Sequence, residues 1–303
     1  MSELMIPDAA APSVGPEAAR STGRQVKARG NGAIVALALP LVLIAVACIV
    51  APWTGLPAPD AQGLSRGISP PAWLAGGDWA HPLGTDQLGR DVLSRLLAGG
   101  VLTFVLAFAG MLAGAIPGIA LGLLAGYRRG WTDAIVSRLI EAQLALPFIL
   151  LAIAIIVSRG RSLAVLILVL AMVGWAQYAR VIRAEAMALR EQPFILGLRF
   201  AGAPSWRIML AHILPNVAGT VTVLATLQLG TIILAESALS FLGLGVAAPD
   251  ISWGAMLAEG RDQLTSAWWI AAFPGATITL VVLLVNLLGD ALRSRFDPKK
   301  KRF

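Results

Sequence analysis

VLTFVLAFAGMLAGAIPGIALGLLAG, residues Val101–Gly126, carries no charged side chain anywhere along its length. Crossing the hydrocarbon core of a bilayer as a helix takes about 20 predominantly apolar residues, and this stretch is long enough. Inside it Gly110, Gly114, Gly118, Gly122 and Gly126 recur at every fourth position. At that spacing the glycines form a slowly drifting groove along one side of a helix, where a second backbone can approach closely. The groove predicts tight helix packing and gives no direct evidence of a substrate site.

Five further apolar runs flank this one: Ile34–Val50, Ile140–Val157, Leu163–Ile182, Val217–Leu242 and Trp268–Leu288. The chain of 303 residues is 57% hydrophobic and only 14% charged, with a mean hydropathy of +0.76. That is far more apolar surface than a soluble core of this size buries. The expected fold is an all-α membrane protein with six transmembrane helices. The first run lies too deep for a signal peptide, and the APWTGLPAP after it is no small-residue cleavage site, so it is read as a retained span. Cys48, the one cysteine, sits inside it, which excludes a disulfide framework and a thiolate metal cluster.

Six spans put both termini on one side of the membrane. That side then holds 18 of the 24 Lys and Arg residues, including Arg128, Arg129, Arg180, Arg183 and the tail DPKKKRF. The excess of positive charge makes it the cytoplasmic side. The net charge of +7 is thereby explained by topology, without nucleic acid as a partner; the expected partner of the surface is membrane lipid. Residues 1–32 are rich in Ala, Pro, Gly and Ser and read as a disordered cytoplasmic tail. The first span covers 33–52. An extracytoplasmic segment, 53–100, opens Pro/Gly-rich and ends in DQLGRDVLSRLL, whose Leu88, Val92, Leu93, Leu96 and Leu97 share a helical face and predict an interfacial helix. Residues 101–293 form the core with five spans and an inner loop at 190–212, followed by a basic cytoplasmic tail, 294–303.

Enzyme chemistry is missing from the sequence. None of Lys27, Lys299, Lys300 and Lys301 follows a glycine, so there is no phosphate-binding loop of the Gly-Lys-Ser/Thr kind. GLSRG at 63–67 matches G-x-S-x-G but sits in a Pro-rich loop without the strand and helix that motif needs. His81 and His212 fall on opposite sides of the membrane and cannot share a metal. No metal site and no bound cofactor are expected. Glu236 falls near the outer end of the fifth span. With Gln228 and Asn286 it is a polar candidate for a translocation path, and the midplane holds no titratable group of the kind a proton-coupled carrier uses.

The inner loop, REQPFILGLRFAGAPSWRIMLAHILPN (Arg190–Asn216), is too short and interrupted to span and too apolar to be idle. Gln192 caps a helix that starts at Pro193, where the missing N–H costs nothing, and Gly202 is placed to end it in a left-handed turn. A second short helix is predicted from Pro204 or Ser205 toward Leu214, before Pro215 opens the fifth span. The first helix is apolar nearly all round, through Phe194, Ile195, Leu196, Leu198 and Phe200. Periodicity leaves two uses open, lying on lipid or docking into a groove on a soluble partner.

The loop resembles the EAA loop of ABC importer permeases, in which Glu-Ala-Ala, three residues and Gly precede a later Leu-Pro. Gly202 matches the glycine and Ile213-Leu214-Pro215-Asn216 the end, while Leu196, Gly197 and Leu198 stand where Glu-Ala-Ala is usual. HPLGTDQLGRDVLSRLLAGG (81–100), ESALSFLGLG with the SWGAML after it (236–257) and NLLGDALRSRFDP (286–298) are similar to the dipeptide/oligopeptide/nickel subgroup, the C-type permease in particular. The resemblance implies a type I importer transmembrane domain in the bacterial inner membrane. It also implies a second homologous permease subunit, two cytoplasmic subunits that bind ATP and Mg²⁺, and an extracytoplasmic solute-binding protein. Pro193, Phe194, Ile195, Leu196, Gly197, Leu198, Arg199, Gly202 and Ala203 would then form the coupling helix. The rival readings are a secondary carrier or channel acting alone and a membrane scaffold.

The topology is testable by labelling. In a chain with Cys48 replaced, Ser69→Cys should react with an impermeant thiol reagent in intact cells, whereas Ser21→Cys and Ser294→Cys should not; labelling at either terminus would reverse the assignment.

Overall fold

The computed structural model describes residues 31–63 and 67–296. The amino-terminal tail, the basic carboxy-terminal tail from residue 297 and Leu64–Arg66 of the GLSRG match lie outside the described residues. Its longest single helix is α2 (Val92–Arg128), which runs alongside α5 (Leu163–Arg190). The five glycines line this contact. A methyl group added at Gly114, Gly118, Gly122 or Gly126 would lie 2.6, 2.5, 2.7 and 2.5 Å from the carbonyl oxygens of Ala171, Trp175, Ala179 and Arg183. The carbonyls are spaced by four, as the glycines are, and both sets ascend together, so the two helices run parallel in close backbone contact. Gly110 meets Leu170 in the same row. Only glycine permits such an approach, and its Cα–H groups facing carbonyls add weak hydrogen bonds.

Around this pair stand α1 (Asn31–Val50), mostly exposed, and α10 (Trp269–Phe296), which packs on α8 (Leu214–Phe241). Among the described residues five helical rods are long and apolar enough to cross a membrane, or six if one bent pair counts as a span. That pair is the third predicted span. It is not one helix: α3 (Trp131–Ala145) and α4 (Phe148–Arg159) meet at 92°. The cause is Pro147, which forces Leu146 into an extended conformation with ψ of 130° because the proline ring excludes the helical region for the residue before it.

Two other expectations change. No separate interfacial helix precedes the second span, because Asp91 caps α2 by accepting from the Ser94 amide at 2.7 Å. Val92 to Leu97 therefore belong to the spanning helix itself, and Leu88 lies in the turn before it. Pro215 does not separate a loop helix from the fifth span either. The short α7 (Ser205–Arg207) passes through a π-helical turn, Ile208–Ile213, directly into α8, giving one rod from Ser205 to Phe241. Proline lacks the N–H that the carbonyl four residues earlier would receive, and the wider turn accommodates this. Asn216 Nδ2 donates to the His212 carbonyl at 2.6 Å.

The backbone contact supplies a paired prediction. Gly118→Val must push α2 and α5 apart and should cost at least about 2 kcal/mol, read as a lowered melting temperature in detergent and less protein in the membrane. Gly197→Ala, with nothing within 4 Å of the added methyl, should leave both unchanged or slightly raised.

Candidate functional site

At one end of the bundle, Arg190 Nη1 donates to the Tyr127 carbonyl at 2.7 Å, and its guanidinium lies 5.9 Å from the centre of the Tyr127 ring. This ties the end of α5 to the end of α2 and fixes where the loop departs. The loop then forms α6 (Pro193–Phe200). The Gln192 carbonyl accepts from the amides of Ile195 and Leu196, so the backbone starts the helix and the Gln192 side chain makes no capping bond. The carboxy end closes with two bonds, from Ala203 N to Leu198 O at 3.0 Å and from Gly202 N to Arg199 O at 3.1 Å. This is a Schellman motif, and it needs Gly202 at φ +76°.

The apolar residues of α6 split into two sets. Ile195 is 0% exposed and packs with Ile182, Ile208, Ile213 and Val217, and Leu198 packs against the same cluster. Leu196, Leu198 and Ala203 are half-buried, while Pro193, Gly197, Arg199 and Gly202 are exposed. Phe194 and Phe200 are 48% and 91% exposed, and Trp206 at the start of the rod is 59% exposed. One side of the helix is therefore anchored to the bundle. The other presents large rings to whatever lies beneath, with Arg199 beside them.

The opposite end is held by charge. Arg95 on α2 donates to both carboxylate oxygens of Glu259, at 2.6 and 3.0 Å, and to Asp86. Arg90 donates to Asp86 at 2.7 Å and Glu259 at 3.0 Å. Asp86 also accepts the amides of Leu88 and Arg90, which folds the TDQLGRD turn. His81 Nδ1 lies 3.0 Å from Asp91. Arg95–Asp86 is buried on both sides, and removing one partner of such a pair costs several kcal/mol; the pair locks this segment to α2, and Glu259, 42% exposed, extends the cluster to α9 (Trp253–Gly260). No spacing rule could have paired Arg95 with Glu259, 164 residues away. Arg95 lies in the 81–100 motif stretch, whereas Glu259 falls two residues beyond SWGAML and carried no signal.

The three path candidates are not brought together. Glu236 is 1% exposed and accepts from Ser240 Oγ at 2.7 Å and Ser252 Oγ at 2.8 Å. Ser252 in turn caps α9 by accepting from the Ala255 amide, so Glu236 joins α8 to α9 at the outer end. Gln228 is buried beside Gly174, and its Nε2 has no hydrogen-bond partner among the described residues. Asn286 on α10 is half-buried and faces Gly230 on α8.

A short anchored helix with exposed rings at one end, a charge-locked platform at the other and apolar helices long enough to span between them fit a membrane transport subunit. Binding-protein-dependent transport system inner membrane components match residues 118–302. The chain belongs to this family. It is 41% identical over 274 residues to a di/tripeptide transport system permease protein of Pseudomonas aeruginosa, covering 90% of each chain. It is 42% identical to a dipeptide transport system permease protein of Alkalihalophilus pseudofirmus, over 75% of each. With a glutathione transport system permease protein of Pectobacterium atrosepticum the identity is 40%, over 73% of this chain and 74% of the relative. The protein is thus a multi-pass permease subunit of an ABC importer, and of the readings open to the sequence a carrier acting alone is not the one supported.

Gly202 gives this permease a sharp test. Its neighbourhood is empty, so Gly202→Val acts through the left-handed backbone, disfavoured for a β-branched residue. The substitution should leave the protein in the membrane but uncouple ATP hydrolysis from uptake in the reconstituted complex; unchanged coupling would refute the role of the turn.

Proposed function

We infer that this permease lines half of a route for short peptides across the bacterial inner membrane, with both termini cytoplasmic. A second homologous subunit forms the other half, and a solute-binding protein delivers from outside. Two cytoplasmic subunits bind ATP and Mg²⁺ and carry out hydrolysis, while this chain binds neither. The peptide substrate is supported by the names of the relatives, and the remaining features by the family and by the charge distribution.

The observation that carries the coupling role is the split surface of α6. Ile195 fixes the helix to the bundle, and Phe194, Phe200 and Trp206 remain free for a hydrophobic groove on the ATPase. Rigid-body motion passes through compact contacts of this kind because packed interfaces shift between discrete states. The route is proposed along α8 and α10. Asn286 keeps partial access there, and the unmet hydrogen-bonding capacity of Gln228 is available to solute when the helices move. Glu236, sealed among serines, acts as an outer joint. Import of a labelled dipeptide into proteoliposomes, with the two permeases, both ATPases and the binding protein present, tests the whole assignment. Uptake should need every component and ATP.

Position 196 tests the ATPase contact. A glutamate there in related loops could make a charge-assisted hydrogen bond of about 1.5–3 kcal/mol; Leu196 offers burial of up to about 1.5–3 kcal/mol. The cognate groove should therefore be apolar at this point. Leu196→Glu should reduce co-purification of the ATPase at matched membrane levels, and equal or better recovery would show that the groove still expects a carboxylate.

A further inference from the structure

Between the turn joining α4 to α5 and the loop that follows α8 lies a cavity of about 170 Å³. Leu163, Leu166, Val246 and Ala248 give it apolar walls, and Arg161 and Asp250 line it from opposite loops. The cavity opens at the same end of the bundle as the charged platform. There the arginines are matched within the chain, Arg90 and Arg95 by Asp86 and Glu259. Arg161 and Asp250 share one cavity and yet form no ion pair with each other or with any other described side chain.

Both walls are held in place. Ser162 caps α5 by accepting from the Val165 amide at 3.2 Å. On the other side Gly245 presses so closely on α8 that a methyl group there would lie 2.6 Å from the Ser240 Cα. Arg161 and Asp250 are exposed beside these fixed segments. Opposite charges on the two sides of a cavity whose lining is part apolar and part polar fit a small solute that carries both signs on a short spacer. In an extended dipeptide the ammonium and carboxylate lie roughly 5–7 Å apart, at about 3.3–3.6 Å per residue. The space far exceeds the ~10–15 Å³ that admits one water and falls below the roughly 300–1,000 Å³ of pockets that enclose drug-sized ligands. It suits a dipeptide or the end residues of a longer peptide.

We propose that this cavity is a receiving site for the free termini of a short peptide on the extracytoplasmic face, with Arg161 taking the carboxylate and Asp250 the ammonium group. The proposal rests on the assignment of the chain to a peptide importer. Guanidinium forks bind carboxylates through two parallel hydrogen bonds, and a peptide blocked at either end would lose one of the two contacts.

The test uses the complete permease and ATPase complex in nanodiscs, without binding protein, labelled by the photo-reactive dipeptide alanyl-photoleucine. Mass spectrometry should map the label to the loops around 161–166 and 245–250. Alanyl-alanine should compete at least tenfold better than its N-acetyl or C-amide forms. Arg161→Gln should lower labelling about tenfold and abolish the difference between the free acid and the amide, with Arg161→Lys restoring it. Asp250→Asn should abolish the difference between the free amine and the N-acetyl form. Label elsewhere, no label, or competition indifferent to the termini would overturn the site. Dipeptide import by the wild-type complex in proteoliposomes with its binding protein and ATP, measured in parallel, separates the two readings: import with unaltered labelling in the variants removes only the site, and absence of import removes both.

Discussion

Everything in this fold depends on two backbones being allowed to touch. In lipid there is no hydrophobic force to drive helices together, since acyl chains are as apolar as leucine, and association falls to packing and hydrogen bonds. The glycine row of α2 meets the carbonyl row of α5 at distances that leave no room for a methyl group. That contact creates a spine of two parallel helices. The loop that carries α6 leaves from one end of the spine, tied by Arg190 to Tyr127, and the charged platform is built on Asp91 and Arg95 at the other.

The two ends solve opposite problems. At the platform end Arg95 is matched by Asp86 and Glu259, and one carboxylate oxygen of Glu236 accepts from two serines. The result is a region that holds its shape as the helices tilt. At the α6 end exposed rings stand among exposed arginines such as Arg199 and Arg207, and a contiguous apolar patch of this kind marks a surface that a partner or lipid covers. The short helix α6, with a buried Ile195 and a bare Phe200, is joined on one face to the cluster of Ile182, Ile208, Ile213 and Val217.

Much of this was legible in the residues. Glycines at every fourth place announced the close contact, and the apolar runs gave the spans. Pro193 and Gly202 marked the ends of α6. What escaped were features decided by geometry at single residues. Hydropathy counted Ile140–Val157 as one run, blind to the bend that Pro147 imposes. The apolar face around Leu88 suggested a helix where the Asp91 cap delays its start. Pro215 read as a boundary because a proline usually interrupts the ladder, and sequence periodicity has no symbol for a π-helical turn that absorbs it. The ion cluster was hidden for a different reason, since its members come from segments far apart in the chain. Placing Ile195 with the other apolar residues of α6 on the coupling surface missed that one face had to be spent on anchorage.

The π-helical turn at Ile208–Ile213 carries a mechanical consequence. Because it bridges Pro215 without a break, Trp206 near the inner end and Glu236 near the outer end sit on one continuous strut of 37 residues, about 55 Å at 1.5 Å per residue. A hinge at Pro215 would have introduced slack, so that the cytoplasmic end could travel before the outer joint responded. A stiff strut has no such play. A displacement applied near Trp206 is carried along the rod to the Glu236–Ser252 joint, and the two ends of the helix answer to each other as parts of one body.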